Sequence, residues 1–150
     1  AVDLALWDAL GKLRNLPVYE LLGGKTKDKL PVYATTSRPD LAKEMGFHGA
    51  KFPLPYGPAQ GDEGMKQNIE LIAEHRKSVK DDTYPLMIDC YMSLTVPYAI
   101  ELANKCKPYN IKWIEEMLPP DNYDGYTQIR NVASNFGLLT TTGEHEYTRW

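Results

Sequence analysis

Three acidic residues, each placed directly after a short apolar run, are the strongest candidates for chemistry in this sequence. They are Asp89, Glu115 and Glu144. The runs before them predict buried strands, and the distance from one acid to the next is that of one β-strand, one helix and the connecting loops. Because parallel strands present their carboxyl ends on one rim, the three carboxylates are expected to converge there. Side-chain oxygens without a histidine or cysteine cluster suit a hard divalent cation such as Mg²⁺.

Two further residues near this rim could take part in chemistry. Lys51 lies near the end of the second predicted strand, where its ammonium either reaches solvent over an apolar stem or meets a substrate carboxylate near the metal. His145 follows Glu144 and is either a surface imidazole or an acid, base or hydrogen-bond donor. Of the neighbours Glu115 and Glu116, strand alternation lets only one face the barrel axis. We choose Glu115, with help from the family pattern given below.

The elements that must position these residues alternate between strands and helices. Apolar periodicity and Gly or Pro stops predict helices over 2–13, 18–22, 39–45, 65–79, 96–106 and 123–133, and strands over 30–36, 49–53, 84–89, 111–115 and 138–144. Residues 54–64 carry turn chemistry over too long a stretch for a simple connector, so we expect a loop above the strand rim.

Five strands separated by helices fit two α/β folds, a doubly wound open sheet or part of a (β/α) barrel. No glycine-rich phosphate-binding motif follows any predicted strand, which favours the barrel. A complete barrel of this type takes about 250 residues. We therefore expect the chain to supply the first half of a barrel, with two open sheet edges.

Composition excludes several classes of function. The 150 residues are 43% hydrophobic and carry a net charge of −3 without a basic block, so neither nucleic acid nor an anionic membrane surface is an expected partner. Cys90 and Cys106 have no metal-ligand spacing, which favours free thiols in a cytoplasmic protein. No apolar stretch reaches the length of a membrane span, and the start lacks both an initiator Met and a signal peptide. We expect a piece of a longer metabolic protein.

The residues quoted so far resemble the enolase superfamily, and within it the acid sugar dehydratases of the mandelate racemase branch. Residues 2–12 and 17–24 are similar to the segment that links the capping domain of that family to its barrel. The stretches that most resemble the L-rhamnonate dehydratase family are 51–64, 88–93, 112–120 and 143–145.

This resemblance implies a division of the chain and a set of ligands. Residues 1–24 would be the linker and helix between capping domain and barrel, and 25–150 the N-terminal half of the barrel, the remainder of both domains being absent from the chain. Asp89, Glu115 and Glu144 would bind an essential Mg²⁺. Relatives carry Lys-x-Lys on the second strand and use its second lysine as a base, but Pro53 occupies that position here. The base is then expected from a His-Asp dyad on later strands, and the 150 residues alone would be inactive.

The implied activity is Mg²⁺-dependent dehydration of an acid sugar such as L-rhamnonate to a 2-keto-3-deoxy acid through an enolate. Lys51 would bind the substrate carboxylate and stabilise its charge, and His145 would transfer a proton or donate a hydrogen bond. The expected partners are a small acid sugar and, in a homo-oligomer, further copies of the chain. The alternatives are racemisation, epimerisation or dehydration of another acid sugar, or a barrel fragment without catalysis.

Overall fold

Five parallel strands form one sheet in the computed structural model, which describes residues 1–147. The last three residues of the predicted barrel segment lie outside the described part. The strands are β1 (Tyr33–Thr35), β2 (Gly49–Pro53), β3 (Leu86–Asp89), β4 (Ile111–Glu115) and β5 (Leu139–Thr141). They lie side by side in chain order. A doubly wound sheet reverses its strand order at a switch point, so sequential order identifies the arrangement of a (β/α) barrel, as predicted.

Helices connect the strands and cover one face of the sheet. They are α3 (Pro39–Glu44), α4 (Gly61–Val79), α5 (Val96–Lys105) and α6 (Tyr123–Ala133). Short 3₁₀ turns at 58–60, 107–109 and 134–136 precede α4, β4 and β5. Apolar side chains of α4, α5 and α6 pack with those of the strands in a single core.

The register of the strands determines which side chains share a face. Phe52, Ile88 and Ile114 are aligned across β2, β3 and β4 and are fully buried in the core beneath the helices. Because successive strand residues point to opposite faces, Lys51, which aligns with Met87, lies on the other face. That face is the barrel side of the sheet, where the functional residues were predicted.

The first 31 residues form a separate compact unit. It contains α1 (Val2–Arg14) and α2 (Val18–Leu21), and the backbone N–H groups of Gly23 and Gly24 donate hydrogen bonds that close the second helix as predicted. Within α1 only Gly11 is buried, and the leucines of the predicted apolar face are exposed.

Three predicted boundaries differ from the structure by three or four residues, and several others differ by one or two. β1 starts at Tyr33 rather than at residue 30, and Pro31, which has no N–H to donate, precedes it. α4 starts at Gly61, four residues earlier than predicted, with Asp62 and Glu63 in its first turn, where the helix dipole favours acids. β5 ends at Thr141 rather than at residue 144, and Gly143 has a φ of 133°, which turns the chain out of the strand.

Candidate active site

A lysine lies between two carboxylates at the carboxyl end of the sheet. Asp89 and Glu115 are the last residues of β3 and β4 and stand opposite each other in register. The Nζ of Lys51 lies 2.9 Å from Oδ2 of Asp89 and also donates a hydrogen bond to Oε1 of Glu115. Lys51 and Asp89 are only 6% and 5% exposed. The structure therefore brings together three of the five predicted site residues.

Electrostatics hold Lys51 in its charged form. Burial works against the charge on Lys51, but hydrogen bonds to Glu115 and Asp89 and the charges of both acids outweigh it and raise the pKa of Lys51 above its ordinary value. Two further donors orient the acids. The indole N–H of Trp113 donates to Oε2 of Glu115 at 3.1 Å, and the backbone N–H of Tyr91 donates to Oδ1 of Asp89 at 3.1 Å.

The other two predicted residues, Glu144 and His145, lie in a turn beyond β5 and their side chains are exposed. In register, Thr141 and not Glu144 stands opposite Glu115. Among residues 1–147 no group of three or more His, Cys, Asp or Glu side chains has the arrangement of a metal site. The convergence of Asp89 with Glu115 is observed and that of Glu144 is not, so the complete ligand set stays a prediction.

Glu116 is the residue of this region that sequence reasoning did not use. It is 2% exposed, and its Oε1 accepts hydrogen bonds from Oγ1 of Thr142 at 3.0 Å and from the backbone N–H groups of Gly143 at 2.7 Å and Glu144 at 3.2 Å. Strand alternation, which lets only one of Glu115 and Glu116 face the barrel axis, could have indicated that Glu116 has different surroundings. Its partners lie 26 to 28 residues away and could not be read from it.

Left-handed backbone conformations cluster at the same end of the sheet. Tyr91, Met92 and Glu116 have φ values of 51°, 59° and 47°, although none is glycine. Such residues cost of order 1–3 kcal/mol each and persist where the surrounding structure holds them in place, which is common at functional sites. Backbone hydrogen bonds from Cys90 to Glu115 and from Met92 to Glu116 tie the two strand ends together here.

The predicted loop after β2 is anchored by a buried amide. Asn68 of α4 is fully buried, accepts from the backbone N–H of Tyr56 at 3.2 Å and donates to its carbonyl at 2.8 Å. It also donates to the hydroxyl of Tyr98 at 3.0 Å. The segment that follows Pro53 is therefore held firmly beside the rim.

The donor set at the rim fits a hard cation and excludes thiol chemistry. Asp89 and Glu115 offer carboxylate oxygens, which are the ligands that Mg²⁺ prefers, and in this structure they hold the ammonium of Lys51 between them. Both cysteines are buried and free. Burial raises the pKa of Cys106 to about 12 and that of Cys90 well above its ordinary value, so neither thiol is a nucleophile at neutral pH.

Comparison with known proteins defines the class to which this fold and rim belong. Residues 38–150 match the family model described as enolase C-terminal domain-like. Residues 1–23 match the N-terminal domain of the mandelate racemase and muconate lactonizing enzyme family. The chain belongs to this enolase and mandelate racemase family.

Comparison with solved structures shows which members of the family this chain resembles. The L-rhamnonate dehydratase of Gibberella zeae is 50% identical with a TM-score of 0.92, over 98% of this chain and 37% of that one. A rhamnonate dehydratase structure from the same organism, complexed with Mg, is 51% identical with a TM-score of 0.92, over 97% and 35%. The 3,6-anhydro-D-galactonate cycloisomerase of Zobellia galactanivorans is 36% identical with a TM-score of 0.84, over 98% and 41%. The chain therefore spans well under half the length of these relatives.

No helix within residues 1–147 is both long enough and apolar enough to cross a membrane.

Proposed function

We propose that this chain forms the metal-binding part of an acid sugar dehydratase that converts an L-rhamnonate-like acid to its 2-keto-3-deoxy product. The observation that carries the proposal is the pair of in-register carboxylates, Asp89 and Glu115, which meet at the carboxyl end of a barrel-type sheet. Half of the sequence is shared with a structure described as L-rhamnonate dehydratase. Among barrel enzymes this end of the sheet is where active sites are built.

The ligands in this proposal are Asp89, Glu115 and Glu144, and the metal is Mg²⁺, as in the rhamnonate dehydratase structure complexed with Mg. Bound there, Mg²⁺ supplies Lewis acidity at the substrate carboxylate, which makes loss of the α proton easier. Asp89 and Glu115 are already close together. Glu144 is included as the third ligand because its backbone N–H donates a hydrogen bond to Glu116, the residue that follows Glu115 at the end of β4.

Lys51 and His145 have distinct roles in the proposed reaction. The ammonium of Lys51 lies at the rim between two acids, where it can meet the substrate carboxylate and stabilise negative charge that develops on it. His145 is exposed beside Glu144, so its imidazole is free to hydrogen-bond or exchange a proton with a bound sugar.

The remaining step needs a base that this chain does not offer on β2. Pro53 stands in the position of the second lysine of Lys-x-Lys, and its side chain cannot accept a proton. We assign removal of the C2 proton to a group from the part of the relatives that this chain does not span. With a proton donated by an acid, the C3 hydroxyl then leaves as water, and the enol that results tautomerises to the 2-keto acid.

The proposed domain organisation follows from the same comparison. Residues 1–24 would link a capping domain to the barrel, and 25–150 would form the first half of the barrel. The two family matches, over 1–23 and 38–150, support this division. A homo-oligomeric state and a cytoplasmic location stay predictions.

A substrate panel in the intact protein tests the proposal. Acid sugars that include L-rhamnonate are incubated with Mg²⁺ or with EDTA, and formation of a 2-keto-3-deoxy acid is followed. Conversion of L-rhamnonate only with Mg²⁺ supports the proposal. The second candidate function is isomerisation of an anhydro acid sugar, which the similarity to the cycloisomerase supports. Isomerisation of such a sugar, without dehydration of L-rhamnonate, would favour this second function. A protein that Mg²⁺ does not stabilise against heat, and that converts no acid sugar, would be the non-catalytic alternative.

A further inference from the structure

Glu116 combines three features that an ordinary buried residue lacks. It follows the last residue of β4 directly, has a left-handed backbone with φ of 47°, and is 2% exposed. Burying a carboxylate is expensive unless hydrogen bonds satisfy it. An apolar side chain would fill the same space without that penalty. The presence of a carboxylate therefore calls for a role that depends on its acceptor atoms.

One carboxylate oxygen of Glu116 accepts hydrogen bonds from a single short segment. Within residues 1–147 Glu116 has three side-chain hydrogen bonds, all of which end on Oε1, and their donors are the consecutive residues Thr142, Gly143 and Glu144. Its other oxygen, Oε2, is buried and has no hydrogen-bond partner among the residues that the structure describes. The carboxylate is therefore directed at residues 142–144.

That segment needs an external anchor. β5 ends at Thr141, and the sheet ladder no longer holds the residues after it. Gly143 has a φ of 133°, a conformation that side-chain-bearing residues rarely adopt, so the chain turns sharply there. The direction in which Glu144 and His145 leave the sheet is therefore set by whatever holds the backbone at 142–144.

We propose that Glu116 is a positioning residue, whose Oε1 holds the backbone of residues 142–144 and so determines where Glu144 and His145 stand relative to the Asp89 and Glu115 rim. The inference rests on the proposed function, because it concerns the placement of a ligand and an acid-base group. Glu116 itself touches neither substrate nor metal in this role. Partners of this kind, which orient a metal ligand, typically change metal affinity by about 10–100-fold when they are removed.

The test compares two replacements of Glu116 in the intact protein. Glu116→Gln keeps a carbonyl oxygen that can accept the same hydrogen bonds, whereas Glu116→Met has a similar length and no such acceptor. We expect Glu116→Met to weaken Mg²⁺ binding, measured by titration calorimetry, by about 10–100-fold. It should also speed hydrogen exchange in peptides that cover residues 139–147 of the metal-free protein. Glu116→Gln should restore most of both properties.

A double-mutant cycle separates positioning from a general structural role. If Glu116 acts through Glu144, the Glu116→Met change costs little further affinity once Glu144→Gln has removed the ligand. Thr142→Val, which removes one of the three donors, serves as a milder variant should Glu116→Met fail to fold. It should show a smaller loss in the same direction.

The outcomes distinguish failure of this inference from failure of the proposed function. A wild-type protein that binds no Mg²⁺ sinks the proposed function, and the inference with it. A wild-type protein that binds Mg²⁺, together with a Glu116→Met protein of equal affinity or unchanged exchange at residues 139–147, overturns the inference alone. Full additivity of Glu116→Met and Glu144→Gln would likewise overturn it.

Discussion

The two ends of the sheet each bury a positive charge and satisfy it in different ways. At the amino end Arg76 of α4, 7% exposed, donates to the backbone carbonyls of Asp81, Tyr84, Tyr109 and Asn110 at 2.7 to 2.9 Å. These carbonyls belong to the segments that lead into β3 and β4. At the carboxyl end Lys51 pairs with the side chains of Asp89 and Glu115.

From this difference we infer that the charge of Arg76 is structural, and we expect the carboxylates that pair with Lys51 to be available to another cation. Backbone carbonyls cannot leave Arg76 without unfolding the loops that carry them, so this guanidinium ties the loops together. Burial nevertheless lowers the pKa of Arg76 from its ordinary value, and the nearby charges of Asp82 and Asp81 only partly oppose that lowering. The partners of Lys51 are side-chain carboxylates instead, so its ion pairs do not tie backbone segments together. This contrast agrees with the general division in barrels, where the amino end contributes to stability and the carboxyl end carries the active site.

The largest effect is expected from removing a carboxylate at the carboxyl end. Asp89→Asn or Glu115→Gln in the intact protein should lower turnover on the order of 10³-fold or more, because a metal ligand and several kcal/mol of charge stabilisation are lost. The thermal stabilisation by Mg²⁺ should disappear as well. The control is Asp121→Asn, at an exposed loop position. Full Mg²⁺ stabilisation in both rim variants would contradict the assignment.

The second prediction concerns the amino end. Arg76→Met should lower the free energy of unfolding by about 3 kcal/mol, because four carbonyls lose a charged donor. Urea denaturation measures it. Arg130→Met is the matched control, since Arg130 is also in the last turn of a helix but is exposed, and it should change stability by no more than about 0.5 kcal/mol. Mg²⁺ affinity should stay at the wild-type value in both variants. Weaker Mg²⁺ binding by Arg76→Met would contradict the distinction between the two ends of the sheet.

The third prediction asks whether Lys51 competes with a metal. Without its ammonium the two carboxylates repel each other, so a divalent ion gains more on binding. Lys51→Met should tighten Mg²⁺ binding by about tenfold, or about 1.4 kcal/mol, while turnover falls. Calorimetry and the dehydration assay measure the two changes. The control is Lys43→Met, because Lys43 pairs with Asp81 away from the rim. Weaker Mg²⁺ binding by Lys51→Met would show that Lys51 supports the metal instead.

The smallest effect is expected at alkaline pH. Burial raises the pKa of Cys106 to about 12, whereas an unfolded thiol titrates near about 8.5. Above about pH 8.5 the unfolded chain has lost a proton that the native state keeps, so the stability present below that pH is lost as pH rises towards 12. Cys106→Val should therefore reduce the loss of stability between about pH 8 and about pH 9.5 by roughly 1 kcal/mol. Identical pH profiles in urea denaturation for wild type and variant would contradict this.

Much of the fold follows from local signals in the sequence. The limits of β2, β4 and α6 were predicted residue for residue, because Gly, Pro and Asn residues mark where each begins or ends. β5 was extended too far because the β-branched run 140–142 continues the strand pattern. A long-range contact, from residues 142–144 to the carboxylate of Glu116, accompanies the turn that ends it.

The amino-acid sequence by itself determined the alternation of strands and helices, and with it the rim on which Asp89, Glu115 and Lys51 meet, because hydrophobic period and turn residues are local properties. Tertiary structure alone decided that Lys51 bridges the two acids, that Glu116 holds residues 142–144, and that Arg76 joins two loops. Each of these contacts joins a side chain to groups distant in the chain, and only packing brings them within hydrogen-bonding distance.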